Sequence, residues 1–321
     1  MNRKDLLNRG FKRGDRLVLS NPTYLTWVKR FTEDVLEQDL GEMGDITTTS
    51  IFGDKTDPAR AVVRAKEDGV MAGIAEVTWF YEQHGIAVTS HKRDGDPVHA
   101  GDLVLELRAS EKRLLETERT GLKVLQRMSG IATMTRRLLD QVKAAGADAL
   151  VVATRKTHWP LLDKKAVWVG GGGTHRLGLW EAILIKDNHL EGLKREGYQK
   201  DYIEEALTRA WQHRDRAVFI EVEVEDEADA LTAAKTFHDL QEPGEVQPCV
   251  IMLDNMPPPQ IKGVITALKE RGLYDSVLLE ASGGIAPDNL IEYAKTGVDI
   301  LSLGSLTHSP KALDLNQTLI R

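Results

Sequence analysis

Positive charge gathers in one part of an acidic chain. The 321 residues include 42 Lys and Arg against 49 Asp and Glu, a formal net charge of −7. Guanidinium and ammonium groups make charge-assisted hydrogen bonds to carboxylates and phosphates. The cluster between "TRKT" (154–157) and "LIKDNH" (184–189) therefore predicts a pocket for a ligand with several negative charges, with a solvated basic loop as the open alternative. Its cations are Arg155, Lys156, His175, Arg176 and Lys186.

Carboxylates follow in the alternating run "IEVEVED". The two-residue period of a strand puts Glu221, Glu223 and Glu225 on one face. Asp254 ends the next apolar run, "IMLDN", and adds a second acid close by. Carboxylates inside a barrel need a cation, and oxygen ligands without cysteine favour Mg²⁺. A salt-bridge network with the cations described above is the open alternative.

Glycine-rich turns end the last two apolar runs, "LEASGGI" and "SLGSLTHS". Backbone N–H groups of such turns, after the final strands of an α/β barrel, commonly hold a phosphate. We therefore predict a monophosphate anchor, with ordinary tight turns as the alternative. The anchor residues are Ser282, Gly283, Gly284 and Gly304.

Six apolar runs after Ala149 supply the elements that must position these groups. Each run ends in polar residues, and spacers of about 20–35 residues, mostly with a helical pattern, predict parallel βαβ units. Chemistry in α/β barrels lies at the carboxyl ends of the strands, and six units rather than eight indicate a short or incomplete barrel. The first third of the chain is typical of a mixed α/β unit that leads into a long helical region.

Arg119 lies in the apolar stripe of that helical region, four residues after Leu115 and three before Leu122. An unpaired buried guanidinium would be very costly. We therefore expect Arg119 to meet an anion, either a carboxylate of the protein or a ligand.

The composition excludes several classes of function. An acidic balance argues against a protein that binds duplex DNA or RNA through a broad basic face. Cys249 is the only cysteine, so we expect neither a disulfide framework nor a cysteine-based zinc site. The N-terminus has no continuous apolar h-region and no apolar run approaches about 18 residues, so we expect neither a secretory signal nor a membrane span. A cytoplasmic location is the prediction.

Nine segments, in order along the chain, closely resemble motifs of the quinolinate phosphoribosyltransferase family. Together they form a highly specific set. They are "GDITT" (44–48), "ERTGLKVLQRMSGIAT" (118–133), "TRKT" (154–157), "GGGGTHRLGL" (170–179), "LIKDNH" (184–189), "EVEVE" (221–225), "MLDN" (252–255), "LEASGGI" (279–285) and "GVDILSLGSLTHS" (297–309).

The resemblance implies an α/β fold, with an N-terminal α/β sandwich domain and a C-terminal open, incomplete α/β barrel. We place the sandwich over residues 1–130, with a connecting helix over 111–143, and the barrel over 131–321. The last residues are expected to return to the N-terminal domain. The resemblance also implies a homodimer, possibly within a higher oligomer, in which one subunit's N-terminal domain covers the other subunit's barrel mouth.

The implied reaction joins quinolinate to phosphoribosyl pyrophosphate with Mg²⁺ and yields nicotinate mononucleotide, pyrophosphate and CO₂. By this resemblance Arg119 reaches into the neighbouring subunit and binds a quinolinate carboxylate. The catalytic groups are Lys156, Lys186, Glu223 and Asp254, and the last two also bind the ribose hydroxyls and the metal. The resemblance assigns the two pyridine carboxylates to Arg155, His175, Arg176 and Lys186, and shares Lys156 with the phosphoribosyl substrate. Thr154 is a further implied substrate contact. The 5′-phosphate is assigned to Ser282, Gly283, Gly284, Leu303, Gly304 and Ser305.

Four departures from the family pattern stand out. "HWPLLDKKAV" (158–167) is about two residues shorter than the usual stretch and has no arginine. Thr174 and Lys123 each replace a common Asn, and "HDLQEPGEVQP" (238–248) is an insertion before "MLDN". The first departure bears on the choice of acceptor.

Three other functions stay open from the residues alone. A related phosphoribosyltransferase would use another acceptor, such as nicotinate, or would be the molybdenum-transport-associated paralogue. "LIKDNH" and a cation set sized for two carboxylates favour quinolinate instead. A Schiff-base aldolase would use Lys186 as its nucleophile. A non-catalytic binding relative would have no need for the acids Glu223 and Asp254.

Overall fold

The structure is a computed structural model and describes residues 2–53, 57–242, 244 and 247–320. It falls into two compact units. The parallel-sheet unit comprises Met1–Arg13, Arg137–Thr157 and Gly172–Ser305. The antiparallel-sheet unit comprises Gly14–Arg136, His158–Gly171 and Leu306–Arg321.

The elements alternate between helices and strands along most of the chain. The first are α1 (Arg3–Phe11), α2 (Pro22–Leu40), α3 (Ile46–Phe52), β1 (Pro58–Ala65), β2 (Gly69–Val70), α4 (Ile74–Gln83), β3 (Ala87–Ser90), β4 (Pro97–Val98), β5 (Leu103–Ser110) and α5 (Glu111–Ala144). The rest are β6 (Leu150–Ala153), α6 (Pro160–Val169), β7 (Ile183–Ile185), α7 (Asp187–Arg195), α8 (Tyr202–Trp211), β8 (Ile220–Val224), α9 (Glu227–Leu240), β9 (Cys249–Asp254), α10 (Pro258–Glu270), β10 (Leu278–Ser282), α11 (Leu290–Ala294), β11 (Ile300–Leu303), α12 (Ser305–His308) and β12 (Leu315–Ile320).

The antiparallel-sheet unit is built on a four-stranded sheet in the order β12-β1-β5-β3. Every neighbouring pair in this sheet is antiparallel. The final strand pairs with β1 from Arg60↔Ile320 to Ala65↔Leu315, so the end of the chain completes a sheet that begins near residue 58. Helix α5 buries Val124, Leu125 and Met128, which lie on one helical stripe.

Six parallel strands form the sheet of the other unit, in the order β6-β11-β10-β9-β8-β7. Four-residue strands such as β6 and β11 are buried throughout, as expected for a sheet covered on both faces. The first strand of the unit pairs with the last, which is the connectivity of an α/β barrel, while β7 remains an edge. The predicted fold class, a mixed α/β chain with an incomplete barrel, is confirmed.

One residue of a seventh strand extends the sheet beyond β6. Gly173 forms a parallel bridge with Val152, in which its N–H donates to the Val151 carbonyl at 2.9 Å and its carbonyl accepts from Ala153 at 3.1 Å. A Cβ added at Gly173 would lie 2.8 Å from the side chains of Leu150 and Val152 and 3.0 Å from the Phe11 carbonyl. Only glycine fits this close approach, which explains one member of the glycine run.

Helix α1 closes the amino ends of the parallel strands. Phe11 is fully buried and stacks on Phe219 with ring centroids 4.7 Å apart. Its carbonyl accepts the Thr174 backbone N–H at 2.7 Å. The surrounding cluster contains the first residues of several strands, among them Leu278 and Ile300. The amino ends are therefore sealed by apolar packing, and the carboxyl ends remain for chemistry.

The chain passes between the two units more often than a single boundary at residue 130 describes. Residues 1–13 lie in the parallel-sheet unit because α1 covers the strand ends, and residues 158–171 lie in the antiparallel-sheet unit. Neither placement has a local sequence signal, since both depend on packing between distant segments. No described helix combines the length and the apolar character needed to cross a bilayer.

Candidate active site

A cavity of about 580 Å³ opens at the carboxyl ends of the parallel strands. Its wall contains both predicted and unpredicted residues. Those that the sequence did not single out include Asn188, Met252, Glu280 and Ser302. The predicted site residues in this wall are Thr154, Arg155, Lys156, His175, Arg176, Lys186, Glu223, Asp254 and Ser282.

Three cations of the cavity wall form what we call the cation rim: Arg155, Lys156 and Arg176. Arg155 and Lys156 are exposed, whereas Arg176 is only 6% exposed. Burial, reinforced by the charge of Arg155, lowers the pKa of Arg176, against a smaller opposing effect of Glu221. Two guanidinium groups that disfavour each other's charge are stabilised when an anion binds between them. An anion placed between the two guanidinium groups would relieve this repulsion.

Lys186 and Glu223 form an ion pair across neighbouring strands. The Lys186 ammonium lies 2.5 Å from a Glu223 carboxylate oxygen. The lysine side chain is 46% exposed and the glutamate 11%. Backbone geometry positions the lysine, because its N–H donates to Nδ1 of His189 at 2.9 Å at the start of α7. For this pair, the salt-bridge alternative raised from the sequence describes the arrangement in the structure.

Asp254 is held by its neighbour, Asn255. The Asn255 side-chain amide donates to the Asp254 carboxylate at 2.6 Å, and its backbone N–H donates to the Ser282 carbonyl at 2.9 Å. Asn255 has φ of 56°, a left-handed conformation that Asn adopts more readily than most residues. The sequence analysis missed this residue as a functional candidate, although the Asp-Asn pair at a strand end is the signal that finds it.

A tight turn follows β10, with Gly283 at φ of 82° and Gly284 at φ of 64°. A Cβ at Gly283 would lie 2.2 Å from the Asn255 side-chain oxygen. Because β10 pairs with β11 in parallel, this turn lies beside the residues that follow β11. Those residues are Leu303, which is buried at the end of β11, Gly304, and Ser305 at the start of α12.

Beneath the cation rim lies a group of buried ionisable side chains, which we call the buried triad: Glu221, His175 and Glu280. The His175 Nε2 atom is 3.2 Å from Glu221 and 3.3 Å from Glu280. Burial opposes the charged imidazole, but the carboxylates of Glu280 and Glu221 outweigh it and raise the pKa of His175 to about 9. Burial and the Glu280 charge raise the pKa of Glu221 to about 7, against the opposing effect of His175.

His175, which the resemblance assigns to a pyridine carboxylate, also has protein partners in this structure. Its ring points into the barrel and packs edge-on against Phe11 and Phe219, at 5.3 Å and 5.2 Å between centroids. It still forms part of the cavity wall. Its polar partners, however, are two protein carboxylates rather than open space for a ligand. The inward face of "IEVEVED" pointed to Glu221, whereas no sequence pattern singled out Glu280.

Arg119 lies on the exposed side of α5 in the antiparallel-sheet unit. The expected burial is therefore wrong for this chain. The buried stripe passes through Leu114 and Leu125, so the helical spacing to Leu115 and Leu122 placed Arg119 about one residue too far inward. Across the residues that the structure describes, the Arg119 guanidinium makes no hydrogen bond or salt bridge.

Three departures from the family pattern have contacts within their own unit. The Thr174 hydroxyl donates to the Phe11 carbonyl at 3.0 Å and accepts from the Arg13 N–H at 3.2 Å, so it fastens the end of α1. In the shortened segment, the Trp159 ring packs 4.5 Å from Phe31 within the antiparallel-sheet unit. Lys123 forms a salt bridge of 3.2 Å with Asp39. Residues 243, 245 and 246 of the insertion lie outside the described residues.

Comparisons with known proteins agree along most of the chain. Residues 131–317 match the family "Quinolinate phosphoribosyl transferase, C-terminal domain", and residues 45–129 match the corresponding N-terminal domain. A probable nicotinate-nucleotide pyrophosphorylase [carboxylating] of Methanothermobacter thermautotrophicus is 37% identical over 287 residues, 88% of this chain and 95% of that protein. A quinolinate phosphoribosyltransferase [decarboxylating] of Nicotiana tabacum is 34% identical over 309 residues, covering 92% and 83%. The solved structure of the nicotinate-nucleotide pyrophosphorylase from Francisella tularensis aligns with a TM-score of 0.76 at 29% identity, covering 92% of this chain and 96% of the other.

Proposed function

Because the chain belongs to the quinolinate phosphoribosyltransferase family, we propose that quinolinate and phosphoribosyl pyrophosphate meet in the cavity at the carboxyl ends of its parallel strands. The enzyme transfers the phosphoribosyl group to quinolinate and releases pyrophosphate and CO₂, which leaves nicotinate mononucleotide. One observation carries the assignment of this activity to the cavity. Arg155 and Arg176 line this cavity together, and burial followed by the charge of Arg155 lowers the pKa of Arg176, so the pair favours an anionic acceptor.

The cation rim binds the acceptor. Arg155 and Arg176 offer planar forks that match the two adjacent carboxylates of quinolinate. Each charge-assisted hydrogen bond contributes roughly 1.5–3 kcal/mol. Lys156 follows directly in the chain and is shared with the phosphoribosyl substrate. A pyridine with a single carboxylate leaves one guanidinium unmatched, which is the basis of the selectivity for quinolinate.

The glycine turn after β10 and the start of α12 bind the 5′-phosphate of the donor. The left-handed conformations of Gly283 and Gly284 support this assignment, because such turns expose consecutive backbone N–H groups. Ser282 adds a hydroxyl from the cavity wall. Leu303, Gly304 and Ser305 contribute backbone N–H groups from the neighbouring strand.

Glu223 and Asp254 hold the ribose hydroxyls and a Mg²⁺ ion. Two carboxylates that line one cavity on neighbouring strands fit this ion, which takes one or two protein carboxylates together with phosphate oxygens and water. The bound ion supplies positive charge that offsets the charge developing on the departing pyrophosphate. Asn255 keeps the Asp254 carboxylate in place through its 2.6 Å hydrogen bond.

Lys186 changes partner when the substrates bind. A quinolinate carboxylate attracts its ammonium away from Glu223, which becomes available to the ribose hydroxyls. The pyridine nitrogen then attacks C1 of the ribose as the bond to pyrophosphate breaks and the ribose gains oxocarbenium character. Alignment of the two substrates and fixed charges around them supply most of the acceleration. The positive charge on the pyridinium ring then favours loss of the adjacent carboxylate.

The enzyme acts as a homodimer in which Arg119 of one subunit reaches the cavity of the other. An exposed guanidinium without a partner in the described part of the chain supports this role. Exposed apolar side chains in the same unit support an interface, because burying them against a partner is favourable. They are Trp27, Met43, Ile46 and Ile51. The cytoplasmic location stays a prediction from the sequence.

An aldolase that uses Lys186 is disfavoured by the ion pair with Glu223. A Schiff-base lysine needs an apolar pocket or a cationic neighbour that favours its neutral form. A carboxylate at 2.5 Å provides the opposite environment.

Pyrophosphate release tests the proposed function. The purified protein, Mg²⁺ and phosphoribosyl pyrophosphate are combined with either quinolinate or nicotinate. We expect release with quinolinate only, together with equimolar CO₂ and nicotinate mononucleotide. Release with nicotinate only would overturn the two-carboxylate site, and release with neither acceptor would overturn the assignment of the reaction to this chain.

A further inference from the structure

A loop carries His175 and Arg176 to the cavity, and we call residues 174–182 the arginine loop. Its first residue is fixed to the end of helix α1, because the Thr174 backbone N–H donates to the Phe11 carbonyl at 2.7 Å. The loop contains neither a helix nor a strand. Its shape, and with it the place of both cavity groups, therefore depends on individual hydrogen bonds rather than on a regular ladder.

One buried carboxylate, that of Glu181, closes the arginine loop on itself. Its Oε2 atom accepts the Leu177 backbone N–H at 2.6 Å, and its Oε1 atom lies 3.4 Å from Nε of Arg13. Glu181 is only 4% exposed and Leu177 only 6%. Among the described residues, the Leu177 N–H has no other acceptor. A buried N–H that loses its acceptor is costly, so removal of the carboxylate forces the loop to change shape.

The contacts of Glu181 flank those of Arg176. Leu177, whose N–H it accepts, comes directly after Arg176. The Arg176 guanidinium in turn donates to the carbonyl of Ala182, the residue after Glu181, at 3.4 Å. Arg176 belongs to the cavity wall, whereas Glu181 is not among the described residues that line it. Glu181 therefore reaches the substrate site only through the loop.

The pKa of Arg176 indicates that geometry, rather than charge, links the two residues. Burial, followed by Arg155, lowers this pKa, and the opposing carboxylate is that of Glu221. The carboxylate of Glu181 pairs with Arg13 instead. An uncharged side chain that still accepts the hydrogen bond should therefore retain most of the effect of Glu181.

We propose that Glu181 is a positioning residue for the acceptor, because it holds the arginine loop closed and so places the Arg176 guanidinium for a quinolinate carboxylate. This inference rests on the proposed function. In the closed loop the guanidinium is oriented before quinolinate arrives, so little order is lost on binding. Without Glu181 the loop has other shapes available, and part of the binding free energy goes into closing it. Acceptor binding weakens, while donor binding and the chemical steps keep their rates.

Asp299 provides the matched control for a purely structural role. Its Oδ1 atom accepts from Nε of Arg3 at 3.1 Å, and its Oδ2 atom accepts the Leu279 backbone N–H at 2.8 Å. Like Glu181, it joins an arginine near the N-terminus to a backbone N–H of the parallel-sheet unit. Asp299 comes directly before β11, at the amino ends of the strands, so it lies at the opposite end of the sheet from the cavity.

Steady-state kinetics of Glu181→Ala, Glu181→Gln and Asp299→Ala test the proposal. We expect KM for quinolinate to rise about tenfold in Glu181→Ala, as for the loss of one hydrogen bond. Both kcat and KM for phosphoribosyl pyrophosphate should stay within about twofold of wild type. Glu181→Gln keeps an acceptor for the Leu177 N–H, so its KM for quinolinate should stay within about threefold. Asp299→Ala should lower the midpoint of thermal unfolding and leave all three constants at wild-type values.

A double variant shows whether Glu181 acts through Arg176. Arg176→Gln removes the guanidinium that Glu181 positions, so adding Glu181→Ala to it should raise KM for quinolinate no further. Two residues that act independently would instead give the product of their separate factors.

Hydrogen exchange measures the closure of the arginine loop without any substrate. We expect the Leu177 backbone N–H to exchange at least about tenfold faster in Glu181→Ala than in the wild type or in Asp299→Ala. Arg13→Met removes the partner of the carboxylate but keeps the acceptor, so it should match Glu181→Gln. These two milder variants keep the proposal testable if Glu181→Ala does not fold, which thermal unfolding identifies.

Any of four results would overturn the proposal. Folded Glu181→Ala could keep the wild-type KM for quinolinate, or could raise KM for both substrates equally. The double variant could show the product of the two single factors. Unchanged exchange at Leu177 in Glu181→Ala would show that the carboxylate does not hold the loop. A wild-type protein that releases no pyrophosphate with quinolinate would instead overturn the proposed function itself, and the exchange measurement would still decide whether Glu181 closes the loop.

Discussion

Two buried charge clusters, one in each unit, differ in how completely their carboxylates are matched. In the antiparallel-sheet unit, what we call the lysine cluster joins Tyr24, Glu76, Asp94 and Lys165. The Lys165 ammonium lies 2.6 Å from Glu76 and 3.3 Å from Asp94, and the Tyr24 hydroxyl donates to Glu76 at 2.9 Å. A single oxygen there, Oε2 of Glu76, is without a hydrogen bond among the described residues.

The buried triad has two carboxylates and one ring hydrogen between them. The lysine cluster matches its acids with a permanent cation and a hydroxyl, so its charges hold elements together. The triad depends instead on protons shared between its carboxylates and its ring, so its contribution to stability changes with pH. Buried glutamates are thus found in two different settings, which the number of neighbouring donors distinguishes.

Lys165→Met should give the largest change in stability. It leaves Glu76 and Asp94 without their cation, and breaking a buried ion pair costs about 3–5 kcal/mol in the free energy of unfolding. Urea denaturation at pH 7 measures the change. Lys235→Met is the matched control, because Lys235 pairs with Asp239 on the surface, and we expect no measurable change there. Equal effects of the two variants would show that the lysine cluster stabilises nothing.

The buried triad should make the stability depend on pH. Two of its groups have raised pKa values in the folded protein, about 9 for His175 and about 7 for Glu221. The stabilisation is present below the unfolded pKa and is lost as the pH rises through the folded pKa. The His175 contribution alone amounts to about 3 kcal/mol at most between pH 6.5 and 9.

Urea denaturation at pH 6, 7.5 and 9 measures that dependence. We expect the wild-type free energy of unfolding to fall steadily across this range, and the double variant His175→Gln, Glu221→Gln to show a flatter profile. A wild-type free energy that rises with pH would contradict the assignment of protons to the triad. The lysine cluster provides the contrast. Its carboxylates keep the pKa of Lys165 raised although the lysine is buried, so the charge of Lys165 does not change in this pH range.

Arg176→Gln separates a binding charge from a structural one. The change removes one fork of the proposed quinolinate site and the repulsion with Arg155. We expect kcat/KM for quinolinate to fall about thirty- to a hundredfold, which corresponds to roughly 2–3 kcal/mol. Urea denaturation should show no loss of stability. A folded variant with wild-type kcat/KM would remove Arg176 from the site.

Asn255 should give the smallest effect, and two variants divide its contributions. Asn255→Gly keeps the left-handed backbone but removes the amide at Asp254, so we expect KM for phosphoribosyl pyrophosphate to rise about tenfold, or roughly 1.4 kcal/mol. Asn255→Ala loses the amide as well and adds a backbone cost of about 1 kcal/mol in stability. Steady-state kinetics and urea denaturation measure the two terms. A glycine variant with unchanged KM would show that the amide does not position Asp254.

The sequence predicted the residues that follow parallel strands. Arg155, Lys186, Asp254 and Ser282 come after apolar runs, and the carboxyl ends of parallel strands share one edge, so the structure brings all four to one cavity. The local pattern was sufficient for these residues because parallel strands run in the same direction. The residues that follow the strands therefore lie along one edge of the sheet.

The buried triad and the closure by α1 were beyond the reach of local pattern. His175 reaches the two glutamates from a left-handed backbone, φ of 50°, on a segment that only one bridge identifies as a strand. Phe11 contacts residues more than 150 positions away in the chain. The expectation for Arg119 was wrong for a different reason. The apolar stripe inferred from Leu115 and Leu122 was one residue too wide and therefore included an exposed arginine.

Isothermal titration of pyridine carboxylates tests most directly the central claim that the cation rim holds two adjacent carboxylates. Quinolinate, nicotinate and picolinate are titrated into the wild-type protein and into Arg176→Gln. We predict that the wild type binds quinolinate at least thirtyfold more tightly than either monocarboxylate, and that this preference collapses in the variant. Equal affinities of the wild type for all three ligands would contradict the account.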